Sequence, residues 1–301
     1  MKSATLLPAA LAFAAACGDD VPGHDVATSG TLTLLRERNL GELLPASARY
    51  EASGIALHNG ALRVVFDNST DIAEVDLGLS TAALGPGTKS ASQYEGITVA
   101  TRPAPTTYVV KEGGPGSHSA ILTLDEEGRV LTTEPTDVTS TDKGKGLEGV
   151  AWLDDIERLL VLCEANSCGT GDGRAGHGLI KSLRHEGGAW WTETTLALPA
   201  LADFEDYSDL AVLADGDGRY QVAVLSQQAA ALWLGSLTTR PLALSRAGAV
   251  HAFPKAAGKT QYCSLEGVTF LDRTTFALVS DRLKGDVGCS KAEALHVFAL
   301  R

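Results

Sequence analysis

Glu148-Gly149-Val150-Ala151-Trp152 is the stretch that decides the fold of this chain, because the same phrase occurs five times. Each copy is a small or acidic residue, then glycine or once leucine, then an apolar run. The other copies are Ser53-Gly54-Ile55-Ala56-Leu57, Glu95-Gly96-Ile97-Thr98-Val99, Asp209-Leu210-Ala211-Val212-Leu213 and Glu266-Gly267-Val268-Thr269-Phe270. Their first residues lie 42, 53, 61 and 57 residues apart. Self-similarity at such a period indicates a repeat architecture.

Each copy is followed by a second short apolar run that ends on a polar residue. Turn-forming tracts such as His58-Asn59-Gly60 and Asp215-Gly216-Asp217-Gly218 separate the two runs, a pattern typical of strand, hairpin and strand. Further strand-like runs complete each unit, and four antiparallel strands per unit define the blade of a β-propeller. The sequence therefore predicts an all-β, five-bladed β-propeller of four-stranded antiparallel blades.

The two ends of the chain favour closure of the ring. Residues 31–35 form a spare strand-like segment, and residues 295–300 end the last unit. An N-terminal strand that completes the last blade would cover both exposed edges. We therefore expect residues 31–301 to form a single propeller domain. A six-bladed ring is the alternative, if the 61-residue unit contains a degenerate blade.

Residues 1–17 have the pattern of an export signal. A positive start and a short apolar core precede Ala14-Ala15-Ala16-Cys17, which resembles the lipobox of bacterial lipoproteins. The apolar core is too short to span a bilayer, and an ordinary secretory signal is the alternative. Residues 18–30 predict a flexible tether, and Gly18 after the cysteine favours, by resemblance, the outer membrane. We expect a lipidated Cys17 and a location in the bacterial cell envelope.

Four further cysteines predict disulfides in an exported chain, although four cysteines allow three connectivities. Cys163 and Cys168 flank one loop, whereas Cys263 and Cys289 flank the inner strands of the last unit. We therefore expect these two local pairs. A metal cluster is the alternative, but the spacings match no zinc pattern.

The chain is strongly acidic, with 37 Asp and Glu against 25 Lys and Arg and a formal net charge of −12. Nucleic-acid binding requires a basic face and is therefore excluded. We expect a monomer whose partners are the membrane, reached through the lipid, and a small ligand or an envelope protein.

The repeat predicts two rings of polar residues around one mouth of the channel, because each inner strand begins where each second strand ends. The inner ring would contain Ser53, Glu95, Glu148, Asp209 and Glu266, and the outer ring Asn68, Glu112, Glu164, Gln227 and Asp281. Carboxylates this close have raised pKa values or surround a cation, and carboxylate and amide oxygens suit Ca²⁺. The other interpretation is a structural latch, in which each carboxylate accepts hydrogen bonds from backbone N–H groups of the next blade. Repetition of the position in every unit favours this role, because one ion cannot use five radially separate groups equally.

Two loops on the same face contain the histidines that could act as catalytic bases, His118 and His177. If a bound metal activates water, either histidine could accept its proton. The alternative for both is a solvated loop. The sequence contains neither a Gly-x-Ser-x-Gly motif nor a convincing Ser, His and Asp set.

Residues 45–301 resemble the SdiA-regulated and esterase-like-phytase propellers. The similarity lies in Ala52-Ser53-Gly54-Ile55-Ala56-Leu57, in Leu62-Arg63-Val64-Val65-Phe66-Asp67-Asn68 and in the repeated Glu-Gly pair. The resemblance implies an exported propeller with an acidic channel mouth that holds calcium. The chain departs from the pattern where Ser53 lacks a carboxylate and where Asp209-Leu210 replaces the Glu-Gly pair.

Three functions are consistent with these patterns, because a propeller can serve any of them. The favoured hypothesis is a non-enzymatic envelope lipoprotein that binds a ligand or partner at the acidic mouth through Ca²⁺. The second is a metal-dependent hydrolase of an ester, lactone or phosphoester. The third is a structural scaffold in the envelope.

Overall fold

The computed structural model describes residues 27–45, 49–85, 87, 92–102, 104–113, 118–139, 146–164, 168, 178–262, 264–282 and 291–301. Over these residues the chain is almost entirely β-strand, with one short helix, α1 Leu40–Leu43, and a 3-10 turn at Ala200–Ala202. The predicted signal with Cys17 lies outside the described residues, as do His177, Cys263 and Cys289.

The strands form four-stranded units that follow one another along the chain. Two N-terminal strands come first, β1 Gly30–Thr31 and β2 Thr33–Asn39. The first unit is β3 Ala52–His58, β4 Ala61–Phe66, β5 Ser69–Asp76 and β6 Ala82–Leu84. The second unit is β7 Tyr94–Ala100, β8 Thr106–Lys111, β9 His118–Leu124 and β10 Val130–Thr139. The third unit is β11 Leu147–Leu153, β12 Arg158–Cys163, β13 Leu179–Glu186 and β14 Ala189–Ala197.

The fourth and fifth units complete the described part of the chain. The fourth unit is β15 Asp209–Gly216, β16 Arg219–Ser226, β17 Ala231–Thr239 and β18 Leu242–Ala252. A small hairpin follows, β19 Lys255–Ala256 and β20 Lys259–Thr260. The fifth unit is β21 Leu265–Phe270, β22 Thr275–Ser280 and β23 Ala294–Ala299, to which β2 adds the fourth strand.

The first strands of the five units line a central channel. Strands β3, β7, β11, β15 and β21 contact one another in that order, and β21 contacts β3, so that the described units close a ring. A channel cavity of about 280 Å³ is lined by inner-strand side chains such as Ile97, Val150 and Val268. This arrangement, with antiparallel pairing inside each unit, confirms the predicted β-propeller class.

The hydrophobic core lies between the units. Each of five buried clusters joins two neighbouring units of the ring. The cluster between the first and second units, for example, packs Ala56 and Val65 against Ile97 and Val109. Both faces of most sheets are therefore buried, which explains why strands such as β12 are almost continuously apolar.

The predicted closure by an N-terminal strand is confirmed, and a second contact adds to it. Strand β2 pairs antiparallel with β23 and completes the fifth unit. Strand β1 pairs in parallel with β18, so that it also extends the fourth unit. The short N-terminal segment therefore joins the last two units.

Two further features concern covalent structure and the membrane. The predicted local disulfide between Cys163 and Cys168 is present. Among the described residues, none of the helices has the length and apolar character needed to cross a membrane.

Candidate functional site

The repeated phrase places its first residue at the same end of every inner strand. Asp209 begins β15, and the other four anchors, Ser53, Glu95, Glu148 and Glu266, are each the second residue of their strand. Because the inner strands contact one another around the channel, the five anchors lie around one mouth. The predicted inner ring is therefore a feature of the structure.

The glycine of the phrase lets neighbouring inner strands approach closely at this mouth. A Cβ atom on Gly96 would lie 2.6 Å from the carbonyl oxygen of Glu148, and one on Gly54 would lie 2.8 Å from that of Glu95. Both distances are shorter than ordinary contacts, so a larger residue would push the units apart. The repeated glycine is thus a packing requirement that brings the acidic anchors together.

Burial and mutual repulsion raise the pKa values of the four acidic anchors. Burial is the largest cause at Glu95, Glu148, Asp209 and Glu266. Neighbouring carboxylates raise the pKa further, and those acting on Glu148 include Glu95, Glu164 and Glu112. Removing a charged group from water disfavours its ionised form, and nearby like charges have the same effect. The mouth is therefore a region in which a positive charge would be stabilised.

Asp209 acts as the latch that one interpretation of the sequence predicted for every anchor. Its Oδ2 accepts a hydrogen bond from the backbone N–H of Val268 in the next unit at 2.7 Å. Its Oδ1 accepts from the N–H of Leu210 at 2.7 Å. These bonds favour the ionised carboxylate and oppose the effect of burial. Oδ2 of Asp209 therefore joins the fourth unit to the fifth, and Oδ1 holds the carboxylate against its own strand.

Two other anchors also join neighbouring units. Ser53 Oγ donates a hydrogen bond to the carbonyl oxygen of Tyr94 in the second unit at 2.5 Å. Glu266 Oε1 accepts from Nε2 of Gln227, in the fourth unit, at 2.7 Å. Glu95 and Glu148 differ, because neither carboxylate has a hydrogen-bond partner among the described residues. Glu95 and Glu148 are thus the two anchors that form no hydrogen bond between units among the described residues.

The outer ring follows the ends of the second strands, with one correction to the prediction. In four units the residue after the second strand is bonded through its backbone N–H to a carbonyl just before an inner strand. These bonds join Asp67 to Glu51 at 2.8 Å, Glu112 to Gln93 at 2.9 Å, Glu164 to Gly146 at 3.1 Å and Asp281 to Ser264 at 2.8 Å. The first unit therefore places Asp67, rather than Asn68, at the outer-ring position.

The side chains of Asp67 and Asn68 confirm this assignment. The Asp67 carboxylate contributes to the raised pKa of both Glu95 and Glu266. Asn68 instead binds the preceding connection, where its Oδ1 accepts from Glu51 N at 3.3 Å and its Nδ2 donates to Arg49 O at 3.1 Å. The one-residue shift arises because β4 ends at Phe66.

Asp206 is an acidic residue of the mouth that the repeat did not predict. It is buried, and its Oδ1 accepts from Ser226 Oγ at 2.5 Å and from Gln228 N at 3.1 Å. Its carboxylate also contributes to the raised pKa of Glu266. Asp206 lies in the connection before β15, outside the repeated phrase, so no periodic signal marked it.

The donor set suits a hard cation. The mouth offers carboxylate oxygens and the amide of Gln227, and Ca²⁺ prefers such ligands. Among the described residues, no three or more His, Cys, Asp or Glu side chains are grouped closely enough to hold a metal ion by themselves. The donor types at the mouth are nevertheless those that Ca²⁺ prefers, and Glu95 and Glu148 are the anchors without a hydrogen-bond partner among the described residues.

The candidate base His118 is not joined to this ring in the described structure. His118 is the exposed first residue of β9, and no hydrogen bond or ion pair joins it to a described carboxylate of the mouth. His177 lies outside the described residues. Their predicted catalytic role stays a prediction.

A hydrogen-bonded serine, histidine and glutamate occur elsewhere, at the closure of the ring. His296 Nε2 lies 3.1 Å from Ser280 Oγ, and His296 Nδ1 lies 3.0 Å from Glu37 Oε2. This is the order of groups in a hydrolase triad. Both Ser280 and His296 are completely buried, and Ser280 Oγ also contacts Lys291 O at 2.8 Å. The three residues therefore tie β2 to the fifth unit and do not face a substrate.

Comparisons with known proteins establish the class of fold. No protein-family model matches the chain, and no curated protein is similar to it. Among solved structures it is similar to RS223-Beta-xylosidase, at 11% identity and a TM-score of 0.54, over 88% of this chain and 95% of that one. It is also similar to an auxiliary nutrient binding protein from Bacteroides thetaiotaomicron, at 9% identity and a TM-score of 0.50, over 83% and 69%. The likeness supports the β-propeller class, and the resemblance to SdiA-regulated propellers stays a prediction.

Proposed function

We propose that this protein is a β-propeller binding protein of the cell envelope whose acidic channel mouth binds Ca²⁺ and, through it, a ligand. The observation that carries the proposal is the state of Glu95 and Glu148. Burial and neighbouring carboxylates raise both pKa values, and neither side chain has a hydrogen-bond partner among the described residues. A bound cation would stabilise both carboxylates in their ionised form.

The roles of the ring residues differ in this proposal. Glu95 and Glu148 bind the cation, and Glu112 and Glu164 add negative potential around it. Asp209 does not bind the cation in this proposal, because its oxygens already accept backbone hydrogen bonds. Since Ca²⁺ takes about six to eight oxygen ligands, a cation at the mouth would have positions left for water and for oxygen atoms of a ligand.

The proposal includes export and anchoring. Residues 1–17 would direct the chain out of the cytoplasm, and lipid on Cys17 would hold it at the outer membrane. Exchange of Cys17 for serine should move the mature protein from the detergent phase to the aqueous phase in a partition assay. Equal partition of the two proteins would contradict the anchor.

The test of the cation site is the melting temperature of the purified protein, with excess Ca²⁺ and then with chelator. A ligand that binds only the folded state at a hundred times its dissociation constant adds about 2.7 kcal/mol of stability. We expect Ca²⁺ to raise the melting temperature of the wild-type protein and to leave that of Glu148→Gln unchanged. Exchange of the exposed Glu186 for glutamine is the matched control and should keep the full shift.

Three outcomes distinguish the alternatives. A wild-type protein that shows no Ca²⁺ shift would contradict the proposal and leave the ring as a structural latch. A Ca²⁺ shift without turnover of esters, lactones and phosphoesters would support a binding protein. Turnover that requires Ca²⁺ and is lost in Glu148→Gln would instead support the metal-dependent hydrolase.

A further inference from the structure

A wide cleft opens between the second and third units, at the end of the molecule opposite the acidic mouth. Its volume is about 600 Å³, within the range of about 300 to 1,000 Å³ that is usual for small-molecule sites. Trp152 near the end of β11, Arg158 at the start of β12 and His185 near the end of β13 line it. Since the mouth lies at the start of β11, the cleft is separate from the proposed cation site.

The cleft lies where the outermost strands of the two units pair at a single position. Strand β10 pairs in parallel with β14 only at Thr136 and Trp190. On one side of this point the ion pair between Glu134 Oε2 and His185 Nε2, at 3.0 Å, crosses between the units. Closer to the start of β10, Leu131 lines the cleft and is 62% exposed. A large exposed apolar side chain at the rim of a cleft is a feature of binding sites.

One wall of the cleft is aromatic. The ring of Tyr108 stacks on Trp152 with centroids 5.4 Å apart and meets Trp190 edge-on at 5.6 Å. Trp152 is 8% exposed and Trp190 is 3% exposed. Neither indole N–H has a hydrogen-bond partner among the described residues. Both indole nitrogens are themselves almost fully buried, so the wall offers the cleft apolar surface rather than these donors.

The charges of the cleft argue against an anionic ligand. The Arg158 guanidinium donates to both carboxylate oxygens of Glu193, at 2.6 and 3.2 Å. Arg184 pairs with Glu186 at 2.6 Å. Together with His185 and its partner Glu134, these contacts engage every described basic side chain that lines the cleft.

Two carboxylates add negative charge to the cleft. Glu134 and Glu157 both line it, and their charges add to the effect of burial in raising the pKa of the Tyr108 hydroxyl. The cleft therefore presents carboxylate acceptors and the hydroxyls of Thr123 and Thr132, which also line it, beside an apolar wall.

We propose that this cleft binds a neutral carbohydrate. A sugar hydroxyl both donates and accepts hydrogen bonds, so one ligand can bond to the Glu157 carboxylate and to the hydroxyls of Thr123 and Thr132 together. The C–H faces of a sugar ring can pack against Tyr108 and Leu131, where apolar contact excludes water. A phosphate or carboxylate ligand would meet Glu134 and Glu157 without a free guanidinium to bind it.

The test is a binding titration of the full protein with neutral gluco-, xylo-, manno- and galacto-oligosaccharides, followed by tryptophan fluorescence. Exchange of Trp191 for phenylalanine in every protein removes the signal of an exposed indole and leaves Trp152 and Trp190 as reporters at the cleft, with the buried Trp233 as a background away from it. We expect at least one of these sugars to change the emission in a saturable way.

Two variants locate the site. Leu131→Glu places a charge in the cleft, and Leu35→Glu does the same at an exposed leucine of β2. We expect Leu131→Glu to weaken sugar binding by at least about tenfold, roughly 1.4 kcal/mol, while Leu35→Glu binds as the parent does. Both leucines are exposed, so both proteins should fold, and equal circular dichroism spectra check this.

The proposal would be overturned by three results. The first is the absence of binding by every sugar class up to about 10 mM, which corresponds to an affinity too weak for a specific site. The second is equal loss of binding in the two leucine variants, which would place the site elsewhere. The third is a response to tetramethylammonium alone, which would make the aromatic wall a site for organic cations.

Discussion

At the scale of single residues, one position of the repeat performs two different tasks. Asp209 is short, so its carboxylate stays near the backbone and accepts from Leu210 and Val268. Glu148 occupies the same position in the third unit with a longer side chain and has no such bond among the described residues. A difference of one methylene therefore separates a latch from a candidate ligand for a cation.

Asp209→Asn tests the latch. An asparagine keeps one acceptor but directs an NH₂ group at a backbone N–H, so at least one buried hydrogen bond is lost. We expect the free energy of unfolding to fall by about 1 to 3 kcal/mol, measured by urea denaturation. Asp217→Asn, in an exposed turn with a positive φ of 52°, is the matched control and should change little. Equal stability of the two variants would contradict the latch.

Glu148 makes the stability of the metal-free protein depend on pH. Its pKa in the folded protein lies above its ordinary value of 4.5, because of burial and neighbouring carboxylates. The folded state therefore holds the Glu148 proton more tightly than the unfolded state does. This stabilises the fold fully below pH 4.5, and the stabilisation is lost as pH rises through the folded-state pKa. We expect Glu148→Gln in chelator to be more stable than the wild type near about pH 8, with a smaller pH dependence. Urea midpoints from about pH 5 to 8 measure this, and parallel profiles would contradict it.

At the scale of elements, β2 closes the ring through its edge and through a buried polar cluster. Glu37 of β2 accepts from Lys291 Nζ and contacts His296 Nδ1 at 3.0 Å. Tyr262 meets the His296 ring edge-on, with centroids 5.2 Å apart. Glu37 and His296 are 259 residues apart in sequence. Such a pair has no local signature, so sequence patterns could indicate the closing strand but not its ion pair.

Glu37→Gln tests this closure. The hydrogen bonds to His296 and Lys291 lower the pKa of Glu37 from 4.5 to about 2. The carboxylate therefore stabilises the fold above pH 4.5, and that stability is lost as pH falls through about 2. Burial lowers the pKa of His296, which also makes acid unfavourable to the folded state. We expect the variant to lose about 1 to 3 kcal/mol at neutral pH and to respond less to acid in urea unfolding.

The matched control for this change is Glu42→Gln. Glu42 forms an exposed pair with Arg38 at 3.0 Å, and such surface pairs contribute about 0 to 1 kcal/mol. If Glu37→Gln were no less stable than Glu42→Gln, the cluster would not hold the ring closed.

At the scale of the whole molecule, stability depends on a closed ring. The five buried clusters each use residues of two neighbouring units, so none of the units buries its core alone. The fifth unit has its fourth strand only through β2. Loss of that strand would expose both the edge of β23 and part of the core beside it.

Two truncations separate the roles of the N-terminal strands. A chain that begins at Thr33 lacks β1 but keeps β2, whereas a chain that begins at Leu40 lacks both. We expect the first to remain monomeric with a cooperative unfolding transition, and the second to lose cooperativity and associate through the β23 edge. Size-exclusion chromatography and urea unfolding measure the two properties. Monomeric, cooperative behaviour of the shorter chain would contradict this account of closure.

The sequence by itself determined the propeller class, the repeated glycine and the acidic residues at the start of the inner strands. These follow from local physics, because strand alternation and close backbone approach restrict the residues at each repeat. The tertiary structure alone decided that Asp67 and not Asn68 belongs to the outer ring, since the end of β4 is set by pairing. It likewise decided that Asp209 is a latch, and that Trp152 and Trp190 line one cleft. Such contacts join residues far apart in sequence, so they exist only once the ring has closed.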